Sequence, residues 1–331
     1  MANDRTLIFN RSDVERLLTL DECIAAVEDA FVQHAQGKTS PPGVLGMHGH
    51  DGSFHIKAAL LTLDRPYFAA KTNTNFPHNG ERHNLPTIQG VVVLCDATNG
   101  FPLALMDSIS ITALRTAAAT AVAARHLSRK DCAVALVCGC GTQGAMQLRA
   151  LCRVKKPREI YAYDQDAQKA AKFAGDLSGE LRIPVTTTND LGAAVARSDI
   201  VITCTTSRRF FITNDMVRAG TFIAAVGADN PEKQEIDPQL LARHTVVADL
   251  VEQCCAIGDL HHAIEAKLMT RADVHAELGQ VAAGMKPGRT RDDEIIVFDS
   301  SGTALQDVAA AAAVYRRAAG QKPGVQFSFN A

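Results

Sequence analysis

The sequence predicts an α/β protein in which a doubly wound parallel sheet fills the second part of the chain. Two observations carry that prediction. From Asp131 onward, short apolar runs alternate with helical stretches across short connections. Such alternation builds βαβ units and a parallel sheet. The first of these runs, CAVALVC, is continuously apolar, as suits a strand covered on both faces. Ahead of Ser128 the pattern differs, because helical and strand periods are mixed there in an α+β manner.

The 331 residues are enough for two ordinary domains. Hydrophobic residues make up 47% and charged residues 21%, so a packed core is expected rather than disorder. The formal net charge is −2 with no block of like charge, which argues against a nucleic-acid footprint or an anionic-membrane patch. The start, MANDRTLIFN, is too polar for a signal peptide. No apolar run approaches a membrane span. The nine cysteines lack paired C-x-x-C spacing, and Cys95, Cys138 and Cys204 lie in apolar runs. They read as small buried thiols in a reducing cytoplasm.

The elements follow in order. DVERLLTLDECIAAVEDAFVQHAQGK has apolar residues at helical spacing and ends at Gly37 before Ser40-Pro41-Pro42, which predicts a helix pair and a stop. SFHIKAAL, YFAAKTN, TIQGVVVLCD and PLALMD read as strands, and the turn DATNG makes a hairpin of the last two. ISITALRTAAATAVAARHLS reads as a long Ala-rich helix. After CAVALVC come a helix at AMQLRALCRV and a strand at EIYAYD. Helices at AQKAAKFAGDL and LGAAVARS then alternate with strands at PVTTT and DIVITCT. Further strands fall at TFIAAVGA, HTVVADL and EIIVFDS, and ALQDVAAAAAVYRRAAG is a helical end piece.

VCGCGTQG contains Gly139, Gly141 and Gly144 in G-x-G-x-x-G spacing. Alone this is a weak signal, but it follows a buried strand and opens a helix, as a dinucleotide loop must. Gly139 permits the tight turn, Gly141 lets a pyrophosphate approach, and Gly144 lets helix and strand pack closely. The phosphates would lie at the positive helix N-terminus. Asp164 closes the second strand, YAYD, where a carboxylate suits a ribose diol and repels a 2′-phosphate. Asp166 adds negative charge and no Arg adjoins it, so NAD(H) is favoured over NADP(H). Asp164 could equally cap the following helix.

Hydride transfer also needs a substrate anchor and a proton donor or acceptor. Lys71, in FAAKTNTNFP, is either the end of a sheet edge or a buried functional cation. Arg115, in ITALRTAAAT, sits on a helix of small and apolar residues and needs an anionic partner, structural or a substrate carboxylate. Asp229, in AAVGADNPEKQE, follows a strand of the alternating half, where open α/β sheets bind ligands. The Asp-Asn-Pro run is also a turn signal. Thr205 and Gly227, in the stretches ending DIVITCT and TFIAAVGA, are further cofactor-binding candidates.

KTNTNFPHN, LPTIQGVVVLCDATNGFPLALMD, ITALRTAAA, CGCGTQG, AVGADNPEKQEID, HAELGQVAAGMKPGR and FDSSGTALQD together resemble the ornithine cyclodeaminase/μ-crystallin family, and within it the archaeal-type alanine dehydrogenases and related imine reductases. The resemblance spans nearly the whole chain. It implies a Rossmann NAD-binding domain over 129–302. It also implies a substrate-binding and dimerisation domain formed by 1–128 and 303–331, which makes a homodimer. It places the substrate-site lysine at Lys71, the carboxylate-binding arginine at Arg115 and the catalytic aspartate at Asp229. Thr116 and the glycine loop, with Thr142 and Gln143, would contact the pyrophosphate. Ser301 and Gly302 match the stretch near the nicotinamide.

There are departures. Many members have P-P-R or P-P-K where this chain has Pro41-Pro42-Gly43. A position often occupied by Arg in the dehydrogenases falls near His55, with Lys57 two residues on. In a strand those two share a face. Carboxylate anchoring is therefore expected at His55, Lys57, Lys71 and Arg115, a cationic set suited to a dicarboxylate imine such as iminosuccinate. Against that, Lys57 could face solvent on an edge strand.

The expected activity is an NAD-dependent amino acid dehydrogenase or imine reductase acting on a small-molecule carboxylate. One alternative is a cyclodeaminase that recycles its NAD and releases ammonia. Another is a μ-crystallin-like ligand-binding protein. Metal binding is not expected: His48 and His50, and the pair His261-His262, lack further ligands at a recognisable offset and read as loop residues. No G-x-S-x-G elbow is present for serine-nucleophile hydrolysis.

Overall fold

A computed structural model of the chain describes residues 5–318 and 324–329. The first elements are β1 (Thr6–Phe9), α1 (Arg11–Leu17), α2 (Leu20–Ala35), β2 (Gly43–His48), β3 (Ser53–Thr62), β4 (Pro66–Asn75), α3 (Asn79–His83), β5 (Ile88–Asp96), β6 (Pro102–Asp107) and α4 (Ser108–Leu127). Next come β7 (Val134–Cys138), α5 (Thr142–Val154), β8 (Glu159–Tyr163), α6 (Ala167–Leu181), β9 (Val185–Thr187), α7 (Leu191–Arg197), β10 (Ile200–Thr203), β11 (Arg208–Ile212), β12 (Phe222–Ala225) and β13 (Gln234–Ile236). The last are α8 (Pro238–Arg243), β14 (Thr245–Ala248), α9 (Val251–Ile257), α10 (Asp259–Glu265), β15 (Ala276–Glu277), α11 (Leu278–Ala282), β16 (Ile296–Asp299), α12 (Ala304–Ala318) and β17 (Val325–Phe327). The final two positions of the expected end helix, 319 and 320, lie outside the described residues.

The chain divides into two compact units, one reaching Arg115 and resuming at Thr303, the other running from Thr116 to Gly302. The division falls inside α4.

The first unit is built on a seven-stranded sheet in the order β17-β1-β6-β5-β4-β3-β2. Its pairs are antiparallel except β1 with β6. Strand alternation gives the sheet two different faces. Leu61, Tyr67, Ala69, Val92, Leu94 and Met106 are buried on the inner face. On the outer face, Leu45, Met47, Phe54, Leu60 and Val91 are exposed. Helix α12 packs against β3 and β4 and against α2. Its run of alanines, Ala309–Ala312, is wholly buried, because a side chain of one carbon lets the helix lie close to the sheet. Helix α2 contributes Cys23, Ile24, Val27, Ala30 and Phe31 to the same core.

The second unit carries eight strands in the order β15-β14-β16-β12-β10-β7-β8-β9, all parallel. The chain runs outward from β7 to β8 and β9, then returns to β10 on the other side of β7. That reversal is the topological switch point at which open α/β sheets bind ligands. The central strands are apolar on both faces: Ile200, Val201, Ile202, Phe222, Ile223 and Ala224 have no exposed surface. Pairing puts Cys138, Thr203 and Ala225 level with one another at the carboxyl ends.

Candidate active site

In the first unit, three cations that the sequence singles out converge on one carboxylate. Lys57 and Lys71 face each other across the β3–β4 ladder. Both are buried, at 8% and 3% exposure, so neither lies on an open edge. They share the inner face with Ala59 and Ala69, at the point where that apolar face becomes polar. Arg115 reaches the cluster from α4 and is 4% exposed.

The partner is Asp307, on the first turn of α12. Lys71 Nζ donates to Asp307 Oδ1 at 2.8 Å, and Arg115 Nε lies 2.9 Å from the same oxygen. The second contact is an ion pair rather than an aligned hydrogen bond, since Arg115 Nε has no acceptor in line. Arg115 Nη1 donates to Gln306 Oε1 at 2.8 Å. Burial alone would push the Asp307 carboxyl up, but Arg115, Lys71 and Lys57 hold it below the usual carboxylate range. Burial and the Arg115 charge pull Lys71 down to about 7, with Asp307 acting against them. Two cations thus rest on one carboxylate, and Lys57 adds a third positive charge nearby. Such a site attracts an anion. His55 is half-buried next along the same face, with its Nε2 2.9 Å from Ser53 Oγ.

In the second unit, the three glycines of the loop have three different causes. Gly139 sits at φ +104, and a Cβ there would lie 2.8 Å from Cys204 O. A Cβ on Gly144 would lie 2.1 Å from Gly139 O. Gly141 has nothing within 4 Å of its Cβ position. Space that no protein atom needs is what a close-approaching phosphate requires. Gly141 also begins α5 without a side-chain cap, which leaves helical N–H groups to an anion. Thr142 is exposed at that helix start, and Gln143 keeps a buried Oε1 without a partner. These features fit a dinucleotide.

Asp164 follows β8. It accepts from Cys140 N at 2.9 Å, which ties it to the glycine loop, and from Lys169 Nζ at 2.8 Å. Burial raises its pKa, but Lys169 and the backbone N–H groups of Cys140 and Asp166 bring it below the usual value. It does not cap the next helix. That cap is Asp166, which accepts from Gln168 and Lys169 N–H, because it is the residue immediately ahead of α6. Lys169 supplies the basic neighbour that an inspection of adjacent residues for arginine passes over.

Further along the strand ends, Thr205 and Gly227 both donate to the buried carboxylate of Glu235, at 2.6 and 2.9 Å. Ser301 Oγ and Gly302 N donate to Asp249 at 2.9 and 2.7 Å. Thr116 is buried on α4. Asp229 is exposed beyond β12, with Lys233 Nζ at 2.7 Å.

A sequence model of the ornithine cyclodeaminase/mu-crystallin family matches residues 4–322. The chain belongs to this family. Alanine dehydrogenase from Archaeoglobus fulgidus is 37% identical over 98% of this chain and 98% of its own length. Iminosuccinate reductase from Paracoccus denitrificans is 34% identical, covering 93% of this chain and 95% of its own. A solved archaeal alanine dehydrogenase dimer with bound NAD superposes with a TM-score of 0.93, at 38% identity over 98% of this chain and 99% of that one.

Within the family frame, the residues that sequence reasoning missed are acidic. Asp307 is the lone charge in ALQDVAAAAAV, which was the available signal. Glu235 lies in the charge-rich run PEKQEID and gives no signal of burial. His261 and His262 lie in α10 rather than in a loop, with His262 Nε2 2.8 Å from Lys233 O. Among the described residues, no group of three or more His, Cys, Asp or Glu is placed to hold a metal ion. No described helix is long and apolar enough to cross a membrane.

The glycine geometry makes a direct prediction. Gly144→Ala should lower the melting temperature by several degrees, because its Cβ meets a backbone oxygen at 2.1 Å. Gly141→Ala should leave the melting temperature within about a degree of wild type, since its side faces open space. Thermal unfolding without any ligand checks both, and equal destabilisation would contradict the assignment.

Proposed function

We propose that this family member is an NAD-dependent reductase and dehydrogenase acting on a carbon–nitrogen bond. It would interconvert an α-imino carboxylate, or a keto acid plus amine, with an L-amino acid. Alanine, or a dicarboxylate such as aspartate formed from iminosuccinate, is the favoured product class. The observation that carries this reading is the buried Lys71–Asp307–Arg115 cluster, which pairs two cations with one carboxylate beside Lys57.

In this reading the substrate carboxylate rests on Arg115 and Lys71, with His55 and Lys57 extending the positive field. Arg115 suits that role because its planar fork can hold a carboxylate through two parallel bonds. The hydride for the imine carbon would come from NADH held at the glycine loop. The C=N π pair then moves to nitrogen, which takes one proton, so the product gains one C–H and one N–H bond. Asp229 holds that proton at the nitrogen. Fixing the imine in one orientation removes much of the entropic barrier to transfer.

NADH is preferred to NADPH because Asp164 presents a carboxylate where a 2′-phosphate would lie, although Lys169 offsets part of its charge. A homodimer fits the exposed apolar outer face of the first unit, on which Leu45, Met47, Phe54 and Leu60 lie. All nine cysteines are free, which suits a reducing cytoplasm.

A panel of keto acids with ammonia or methylamine, and of cyclic and oxaloacetate-derived imines, tests the activity by net loss of NADH absorbance. At least one member should be turned over. Ammonia release without net NADH change would identify cyclodeaminase chemistry, and tight NADH binding without turnover would identify a binding protein. Asp229→Ala should lose at least about a hundredfold in kcat while binding NADH as wild type does. Wild-type turnover in that variant would remove the proton role.

The Lys71 value of about 7 predicts a pH dependence. The charged form binds the carboxylate, so wild-type kcat/KM should fall as pH rises through about 7. Lys71→Arg keeps its charge. The ratio of Lys71→Arg to wild-type kcat/KM, in which the substrate's own titration cancels, should then climb by up to about tenfold per pH unit above the inflection. A flat ratio from pH 6 to 9 would contradict the assignment.

A further inference from the structure

A row of buried carboxylates lies under the strand ends of the second unit, and the reaction above uses none of them. Glu235, Asp249, Asp259 and Asp299 all have no exposed surface. The hydrogen bonds they accept come from backbone N–H, hydroxyl and thiol groups. Glu235 is the most heavily used. Oε1 accepts from Thr205 N at 2.6 Å and Thr205 Oγ1 at 2.7 Å. Oε2 accepts from Thr203 Oγ1 at 2.6 Å and Gly227 N at 2.9 Å.

These bonds are not needed to hold β10 to β12. The ladder already pairs them through Thr203 and Ala225, and Val226 N donates to Thr203 O at 2.9 Å. The Glu235 bonds begin where the ladder stops, on the segments that turn away from the carboxyl ends. At the switch-point edge those segments face the ligand. Gly227 is shaped by the same carboxylate: a Cβ there would meet Glu235 oxygens at 2.5 Å.

We propose that Glu235 is a positioning residue for the dinucleotide, its carboxylate setting the Thr203–Thr205 and Gly227 segments in their cofactor-binding arrangement before the cofactor arrives. The inference rests on the nicotinamide reading above.

The carboxylates behind it support that role. Asp259 Oδ1 accepts from Glu235 N at 2.7 Å and Ile236 N at 2.9 Å, fixing the strand that carries Glu235. Asp299 in turn accepts from Asp259 N at 3.2 Å and Leu260 N at 2.8 Å. Burial pushes the pKa of Asp259 well above the usual range, and the Asp299 and Glu235 charges push it further. Its Oδ2 has no acceptor or donor opposite it. Burial also raises the Glu235 carboxyl, against the pull of its donors.

Glu235→Gln keeps the volume but replaces one acceptor oxygen with an amide NH2 donor. Thr203 can rotate its hydroxyl to suit, whereas a backbone N–H cannot, so the amide leaves Gly227 N–H or Thr205 N–H without an acceptor. The test is NADH fluorescence titration and steady-state kinetics on the full-length protein, with thermal unfolding measured alongside. The expected result is a rise of at least tenfold in the NADH Kd and the NADH KM. The kcat at saturating NADH and the imine KM should stay within twofold. A purely structural staple would lower the melting temperature and leave the NADH Kd of the folded protein unchanged, which overturns the inference. Thr203→Val removes one hydroxyl donor and keeps the strand. It should raise the NADH Kd of the folded protein severalfold, whatever fall in melting temperature accompanies the lost donor, and it decides the matter if Glu235→Gln does not fold. An unchanged Kd in Thr203→Val would then overturn the inference. Failure of the wild type to bind NADH would overturn the nicotinamide reading itself. Wild-type binding with unaltered Glu235→Gln affinity overturns this inference alone.

Discussion

Lys71 and Arg115 can stand inside the first unit because Asp307 stands between them. A cation removed from water loses several kcal/mol of hydration unless an opposite charge or hydrogen-bond acceptors replace it. Asp307 provides both, at 2.8 Å to Lys71 and 2.9 Å to Arg115. The carboxylate belongs to α12, so the helix that closes the core of this unit is also the helix that makes the cation site possible. Losing Asp307 would leave two buried charges without their partner, a disruption of the order of 3–5 kcal/mol. One carboxylate meets Lys71 and Arg115, and Lys57 stands across the ladder from Lys71.

The second unit answers the same constraint with the opposite sign. Its buried charges are carboxylates, and they are satisfied by backbone N–H groups at the ends of parallel strands. Those N–H groups are orphans of the ladder, because pairing stops at the strand end and every buried donor still needs an acceptor. Glu235 and Asp249 take the donors of Thr205, Gly227 and Gly302. In the second unit charge therefore sits where regular secondary structure ends, whereas in the first the cations stand within β3, β4 and α4.

How much of this the sequence disclosed follows from how local each signal is. The glycine loop is written in consecutive residues, and its strand, helix and Asp164 lie within about one βαβ unit of it. The alternation of apolar runs and helices revealed the parallel sheet for the same reason. Lys71 and Arg115 stood out because each interrupts an apolar stretch. Asp307 did not, because an acidic residue in the first turn of a helix is also what the helix dipole favours on a surface. Glu235 did not, because a carboxylate in PEKQEID looks solvated until the fold brings Thr203 and Gly227 to it. Strand β2 left no pattern, since both faces of GVLGMH are exposed and it contains two glycines. For the two carboxylates the missing information lay in a partner distant along the chain.

In the proposed reaction a carboxylate held by the cation cluster receives a hydride at its adjacent carbon. NADH deuterated at the transferable position, incubated with an imino acid that the protein turns over, tests it most directly. One deuterium should appear at the product's α-carbon for each NADH oxidised, detected by mass spectrometry and proton NMR. In Arg115→Ala, that incorporation should require a substrate concentration higher by about tenfold or more, as expected when a charge-assisted pair is lost. Product that carries no deuterium, or unchanged substrate dependence in Arg115→Ala, would contradict it.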